Sequence, residues 1–356
     1  MKIICLVSRG AGHLDFGGNG YLSLALKLRD RGHDVIFYTN KHYNLLEKLS
    51  FKCIKSSDID TLWVANEKTD LTKYGRAYYL RLKYIELTIR NENPDLVLVD
   101  RILGLAAGML NSLNIKYVCV GSPGGSWKKD DFTISPNVSH HNQSGAIRMY
   151  QKKLGWEFDE ISVWCNSPFF NIVFIGKEFY NTVNSKNTLF INNFEYSKNA
   201  GLGTVGISLG SGMEGDFEKI LDSFLIICSE QKVKKKIMLY GKEKGIDKFI
   251  SLIPNEYLDK IEVRGYVNFN EEMNKLTYLL FFGGIGTLWY CLNNNVVPII
   301  VSSHIHDQDY NESKSRLLGI VGKIGDYRKD INPNQFFTFN ATMESAIVEI
   351  EKLFDF

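Results

Sequence analysis

Several stretches of this 356-residue chain carry residues whose type and spacing can do chemistry. His13 lies in the loop SRGAGHLDFGGNG (8–20), directly after an apolar run, and Asp100 closes another such run, PDLVLVD (94–100). A carboxylate near an imidazole fixes its tautomer and makes it a stronger base for a hydroxyl proton. In SLGSG (208–212), the amides of Gly210 and Gly212 and the Ser211 hydroxyl can face a phosphate. In FFGGIGTLWYCL (281–292), Gly283, Gly284 and Gly286 crowd the end of an apolar run ahead of Thr287 and a helical pattern. Glycine there costs conformational entropy, so a bare backbone needs a reason. One reason is an anion at the helix N-terminus, where amides and the helix dipole favour negative charge and Thr287 can both cap the helix and bond a phosphate oxygen. Asp307 and Gln308, in HIHDQ, follow the next apolar run and together offer acceptors and donors for vicinal sugar hydroxyls.

Each of these residues has a plainer reading. A loop histidine is commonly only a loop residue, and Asp100 can be the N-cap of the helix in LGLAAGML. The glycines of 208–212 and 283–286 can simply make tight strand-to-helix turns. A dinucleotide site is disfavoured for the first loop, because the second strand ends in FYTN with Asn40 where a ribose-binding acid belongs.

The elements that must position these residues alternate. KIICLVS, HDVIFYT, FKCIK, PDLVLVD and KYVCVGS read as buried parallel strands, with FFNIVFIG (169–176) as the last strand of the first half. Helical patterns fall between them, including a tyrosine-rich segment from 72 to 91. After a polar linker the pattern restarts at TVGISLGSG and ends with the amphipathic helix ATMESAIVEIEKLF. The expected architecture is α/β, with two Rossmann-like domains whose parallel sheets are covered on both faces. The expected bounds are residues 1–195, a linker at 196–203, and residues 204–356, the C-terminal helix being able to pack back on the first domain. Loops after strand ends in such sheets are where ligands bind.

Composition excludes several classes. At 44% apolar, 23% charged and a net charge of +2, nothing favours nucleic acid or a membrane in general. No apolar run reaches the ~18–20 residues of a span, and the opening MKIICLVSRG is too short for a secretory signal. The six cysteines are scattered without CxxC spacing, as expected of reduced core residues in a cytoplasmic protein.

Taken together, RGYVNF, FGGIGT, VVPIIVS and DQDYN, in this order and spacing, resemble the donor-site signature of the nucleotide-sugar-dependent glycosyltransferases of the GT-B fold. The likeness is to the UDP-glycosyltransferase family and its natural-product-modifying bacterial branch. In the first half, GH, LSLALKLRDRGHDVIFYT and PDLVLVD resemble the acceptor domain of that family. The resemblance implies parallel sheets facing a central cleft and an inverting, metal-independent transfer from a nucleoside-diphosphate sugar, without a resident cofactor, to a small-molecule hydroxyl. It implies His13 as general base and Asp100 as its orienting partner. Ser211, Gly212, Gly283, Gly284, Gly286 and Thr287 would hold the diphosphate, Tyr266 and Val267 the base, and Asp307 and Gln308 the donor sugar. Three departures stand out: Phe282 where the family has a phosphate-binding histidine, Tyr290 where it often has a ribose-binding glutamate, and a loop after His13 about four residues longer than the family's usual one. UDP and dTDP donors both stay open, as do a monomer and a homodimer. Trp63, Tyr78, Tyr79, Trp127, Trp156 and Trp164 suit an apolar or aromatic acceptor, and equally a core. Two other readings remain: a nucleotide-sugar epimerase or hydrolase of the same fold, and a non-catalytic binding protein.

Overall fold

The structure is a computed structural model. It describes residues 1–8, 14, 20–56, 59–62, 71–101, 103–121, 152–157, 166–180, 187–192, 204–210, 217–231, 237–265, 267, 269–301, 306–321 and 333–354. The chain divides into two compact units, one formed by Met1–Asn193 with Thr338–Phe356 and the other by Phe194–Phe337.

The first unit is built on a seven-stranded parallel sheet. Its strands are β1 (Lys2–Leu6), β2 (Asp34–Thr39), β3 (Lys52–Lys55), β4 (Leu96–Asp100), β5 (Lys116–Val120), β6 (Asn171–Val173) and β7 (Thr188–Phe190), in the order β3-β2-β1-β4-β5-β6-β7. Helices α1 (Tyr21–Asp30), α2 (Tyr43–Lys48), α3 (Leu71–Glu92) and α4 (Ala106–Ser112) lie between the strands in sequence. Both faces of the central strands are covered, which is why KIICL and LVLVD are apolar almost without a break. Helix α1 buries Tyr21, Leu24, Ala25 and Leu28, the i, i+3, i+4, i+7 stripe of a surface helix. Strand β7 lies beyond FFNIVFIG, so the sheet extends one strand past the edge expected from sequence. Its three residues are too few to show a period.

The second unit has a five-stranded parallel sheet. Its strands are β8 (Val205–Ser208), β9 (Ile237–Tyr240), β10 (Ile261–Gly265), β11 (Tyr278–Phe281) and β12 (Val297–Ile300), in the order β10-β9-β8-β11-β12. Its principal helices are α5 (Phe217–Gln231), α6 (Glu243–Ile250), α7 (Ile285–Asn293) and α8 (His306–Leu317). Phe217, Phe224, Phe249, Leu280 and Phe282 belong to its buried apolar cluster.

The last helix, α9 (Met343–Lys352), belongs to the first unit. Thr342 and Ser345 form a reciprocal capping box at its start. It faces α1 through Lys27–Glu344 at 2.7 Å, Arg31–Glu344 at 3.0 Å and Arg31–Glu351 at 2.7 Å. The first two pairs are largely exposed and add little each; burial of Met343, Ala346, Ile347 and Ile350 is the stronger reason the helix stays docked.

The five cysteines among the described residues form no disulfide, and burial pushes the Cys5 and Cys291 thiols far above the ordinary range. Those two are inert core groups.

Gly206, inside β8, tests how tightly the second sheet is packed. A Cβ there would lie 2.7 Å from Leu276 Cδ1 and 2.8 Å from Leu279 Cδ1. Both leucines are fully buried and have little room to move. Gly206→Ala is expected to cost about 1–3 kcal/mol, read as a lowered Tm; an unchanged Tm would mean Leu276 and Leu279 pack against β8 more loosely than described.

Candidate functional site

Both sheets reverse their strand order once, and Asp100, Gly283 and Gly284 lie at the ends of strands that meet at those two reversals. In the first sheet, β1 and β4 are neighbours, and the chain leaves them in different directions. In the second, β8 and β11 stand in the same relation. Such a topological switch point opens a crevice beyond the strand ends, the usual ligand position in open parallel sheets.

At the first reversal, the Ser8 amide after β1 donates to Asp100 Oδ2 at 3.2 Å, at the end of β4. Asp100 is almost fully buried. Asp100 is not the N-cap of α4: that position is Leu105, and among the described residues no side chain caps it. The carboxylate instead anchors the start of the loop that carries His13. His13 itself lies outside the described residues. Arg101, which the sequence reading did not single out, is buried as well, and its guanidinium donates to Asn166 Oδ1. The only sequence signal for it is a charged residue placed directly after a buried strand.

At the second reversal the strand ends are level. Gly265, Tyr240, Ser208, Phe281 and Ile300 are register partners across the sheet, so all five following loops leave from one line. From β10 to β11 this line crosses three strand spacings, about 14 Å. Val267, half-buried, follows its β10 end, and α8 follows its β12 end. Gly210 has φ +73° and open space around it, so its glycine serves backbone conformation. Ser211, Gly212 and Tyr266 lie outside the described residues.

The glycines after β11 serve different purposes. Gly283 has φ +89°, a left-handed conformation that L side chains rarely adopt. A Cβ on it would sit 2.9 Å from Ile300 Cγ2 and 3.2 Å from the backbone oxygen of Gln308. Asn311, buried in α8, donates from Nδ2 to the Gly283 carbonyl at 2.9 Å. Gly283 is therefore required by the close approach of α8, which answers half of the question its presence raises. Gly284 is different. Its φ of −61° suits any residue, and the nearest atom to an added Cβ is Thr287 Oγ1 at 3.9 Å. Packing does not account for that glycine.

Gly284 is the N-cap of α7, so Thr287 stands one turn inside the helix and does not cap it, contrary to the sequence expectation. No side chain caps this helix among the described residues. Its first N–H groups have no intrahelical acceptor by geometry, and they carry the positive end of the helix dipole. Residues 284–287 are half-buried while Leu288–Asn293 are buried, so only the first turn is open to a ligand. Gln308 sits against the Gly283 bend and is half-buried. Asp307 lies in the first turn of α8, with its side chain outside the described set.

Two of the three departures lie among the described residues; residues 15–19 of the third, the loop after His13, lie outside them. The Phe282 ring stacks on Phe217, at 6.1 Å and 28°, and faces the core. The Tyr290 ring is buried against Phe269 at 5.7 Å, and Phe269 in turn meets Tyr240 at 5.4 Å. Burial and the neighbouring Glu272 carboxylate push the Tyr240 phenol well up, so it stays a neutral donor to Glu272 at 3.3 Å. Of the aromatic residues suggested for an acceptor, Trp156 is core and donates from Nε1 to Glu86 at 3.0 Å. Trp63, Trp127 and Trp164 lie outside the described residues, as does the Tyr78 side chain.

No protein-family model matches the sequence, and no curated protein matches it. Solved structures do. The spinosyn forosaminyltransferase shares 15% identity at a TM-score of 0.65, with 99% of each chain covered. A glycosyltransferase of Streptomyces sp. SF2575, solved in complex with thymidine diphosphate, shares 15% at 0.61, again with 99% of each chain covered. The spinosyn rhamnosyltransferase complexed with spinosyn aglycone shares 11% at 0.61, over 99% of this chain and 92% of the other. The fold is GT-B. This chain matches natural-product glycosyltransferases of that fold along its whole length. Among the described residues, no helix is long and apolar enough to cross a membrane.

A pair of substitutions separates packing from ligand binding in this GT-B chain. Gly283→Ala should lower Tm, because the left-handed backbone alone costs about 1–2 kcal/mol and the added methyl meets Ile300. Gly284→Ala, which replaces a tolerated N-cap glycine, should lower Tm less than Gly283→Ala and weaken binding of a nucleoside diphosphate, measured by calorimetry. Equal affinity for wild type and Gly284→Ala would remove Gly284 from the binding site.

Proposed function

We propose that the protein is an inverting glycosyltransferase that moves a sugar from a nucleoside-diphosphate sugar to a hydroxyl of a small-molecule acceptor. The observation that carries this reading is the open first turn of α7 at the switch point of the second sheet, behind a glycine whose bareness packing does not explain. The whole-chain likeness to glycosyltransferases, one holding thymidine diphosphate and one an aglycone, supports it. The second unit then takes the donor and the first the acceptor.

In this mechanism the acceptor hydroxyl attacks the anomeric carbon while the bond from that carbon to the diphosphate oxygen breaks, which inverts the configuration. The hydroxyl proton passes to His13, whose imidazole is oriented by Asp100. The departing diphosphate gathers negative charge, and the amides of Gly284, Gly286 and Thr287, with Ser211, Gly212 and the Thr287 hydroxyl, stabilise it. Fixed dipoles do this without reorganising as the charge develops, so no metal is required. The buried Phe282 ring offers no polar contact to a phosphate, which places more of the binding on those amides. Val267 and Tyr266 would bind the base, and Asp307 and Gln308 the donor hydroxyls. Thymidine diphosphate is the first nucleotide to try, and an apolar, ring-containing acceptor the first acceptor class.

Purified protein should be screened by mass spectrometry against sugar nucleotides and candidate acceptors, with inversion read by NMR. His13→Ala should lower transfer by about 10²–10⁴ and leave thymidine diphosphate binding nearly intact. Asp100→Asn should cost less. Wild-type turnover in His13→Ala would remove the base from the mechanism. Nucleotide binding with sugar release or epimerisation but no glycoside would favour the epimerase or hydrolase reading, and an absence of nucleotide binding the non-catalytic one.

A further inference from the structure

The edge of the first sheet is closed by the chain's own return. Strand β7 is last in its sheet, and such an edge leaves amides and carbonyls turned outward. Asn340 and Ala341 meet them. The Asn340 side-chain amide has one carbonyl and one NH2, the same functions as a peptide group. Its Oδ1 accepts from the Phe190 amide at 2.7 Å, and its Nδ2 donates to the Thr188 carbonyl at 3.1 Å. The backbone amides of Asn340 and Ala341 both donate to the Phe190 carbonyl at 3.2 Å. The Asn192 amide donates to the Ala341 carbonyl at 3.0 Å, and Ile191 and Ala341 are parallel bridge partners.

Backbone alone could close this edge. The side-chain bonds add register, because a slip by one residue would put Phe339 or Ala341 opposite Phe190, and neither side chain can make them. Asn340 is exposed, so burial is not what holds it.

Both crossings of the chain meet at this edge. The first unit breaks off after Asn193 and resumes at Thr338, so Asn192 and Ala341 flank the whole second unit. The return has no slack. Phe337, in the second unit, is buried, and its ring lies 5.3 Å from that of Trp289, which is fully buried in α7 two residues past Thr287. Thr338, the next residue, is held in the first unit. Its amide donates to Glu178 Oε2 at 2.6 Å, and its carbonyl accepts from the Lys177 amide at 3.1 Å. A short strap therefore runs from α7, the helix proposed to grip the diphosphate, to the edge of β7.

We propose that Asn340 is a positioning residue for sugar transfer. It sets the register in which the chain returns to β7, and so the orientation in which the second unit presents a bound donor. It acts through the strap and not by contact with a substrate. The inference rests on the transfer reading above, in which in-line attack tolerates little misplacement, about 10²-fold in rate for 1 Å.

Two full-chain variants test it. Three glycines inserted between Phe337 and Thr338 keep every bond named here and add slack; Asn340→Ala keeps the length and removes the register bonds. Both should bind thymidine diphosphate with wild-type affinity by calorimetry and keep the acceptor KM. The insertion should lower kcat by about 10²-fold at wild-type Tm, and Asn340→Ala should lower it less, since the Thr338 and Ala341 bonds remain. A merely structural clip would lower the Tm of Asn340→Ala and leave kcat, measured well below Tm, at the wild-type value; that result would overturn the proposal. So would wild-type kcat in the insertion variant, or weakened nucleotide binding in either, which would put the defect inside the second unit. A wild-type protein that makes no glycoside would instead sink the transfer reading, and small-angle scattering then decides whether the strap orients the units. A profile broadened by the insertion upholds the strap, and one that superimposes on wild type overturns it.

Discussion

The strand-end face of the second unit depends on how closely α8 approaches the bend that follows β11. Gly283 has no side chain, and the space that a methyl would fill is taken by Ile300 and the Gln308 backbone. Asn311 fastens the approach by donating to the Gly283 carbonyl. A buried bond of this kind is expensive to lose, because the carbonyl would be left without a partner, at about 1–3 kcal/mol. The bend in turn fixes where α7 begins, and therefore where its unbonded amides lie. Gln308, the first turn of α7 and the end of β12 are held by one contact, so the parts proposed to hold phosphate and sugar cannot drift independently.

The two sheets solve the same problem with different chemistry. Each brings two strand ends together where its order reverses, and each ties the neighbouring loop to a fixed point. At β1 and β4 the tie is charge-assisted, the Asp100 carboxylate accepting the Ser8 amide. At β8 and β11 it is steric, through glycine. A carboxylate leaves a buried negative group beside the loop of a histidine, which suits proton transfer. Glycine leaves bare amides, which suit an anion. The division of labour proposed for the two units follows from that contrast.

Much of this was legible in the sequence, for identifiable reasons. Parallel strands buried on both faces announce themselves as unbroken apolar runs, and KIICL, LVLVD and YLLF form strands where they were expected. Chain alternation gave two Rossmann-like halves, and the resemblance carried by RGYVNF, FGGIGT, VVPIIVS and DQDYN gave the GT-B fold. What local pattern could not show is long-range. That Gly283 is bare for the sake of α8, that Asn311 reaches back to it, and that Phe282 turns to the core all depend on contacts between distant segments. Asn311 had one faint signal, its place one turn after Gln308 in DQDYN. Two helix starts fell at other residues: Asp100, for which a cap was the plainer reading, lies five residues before the N-cap of α4, and Thr287 three residues past that of α7. Sequence marks the neighbourhood of a helix start more readily than the residue.

The central claim is that the first turn of α7 grips a diphosphate. A crystal structure with thymidine diphosphate, or another nucleoside diphosphate that binds, tests it most directly. The account predicts phosphate oxygens within hydrogen-bonding distance of the amides of Gly284, Gly286 or Thr287, with the base towards Val267. A nucleotide seated elsewhere, with those amides facing only solvent, would contradict it.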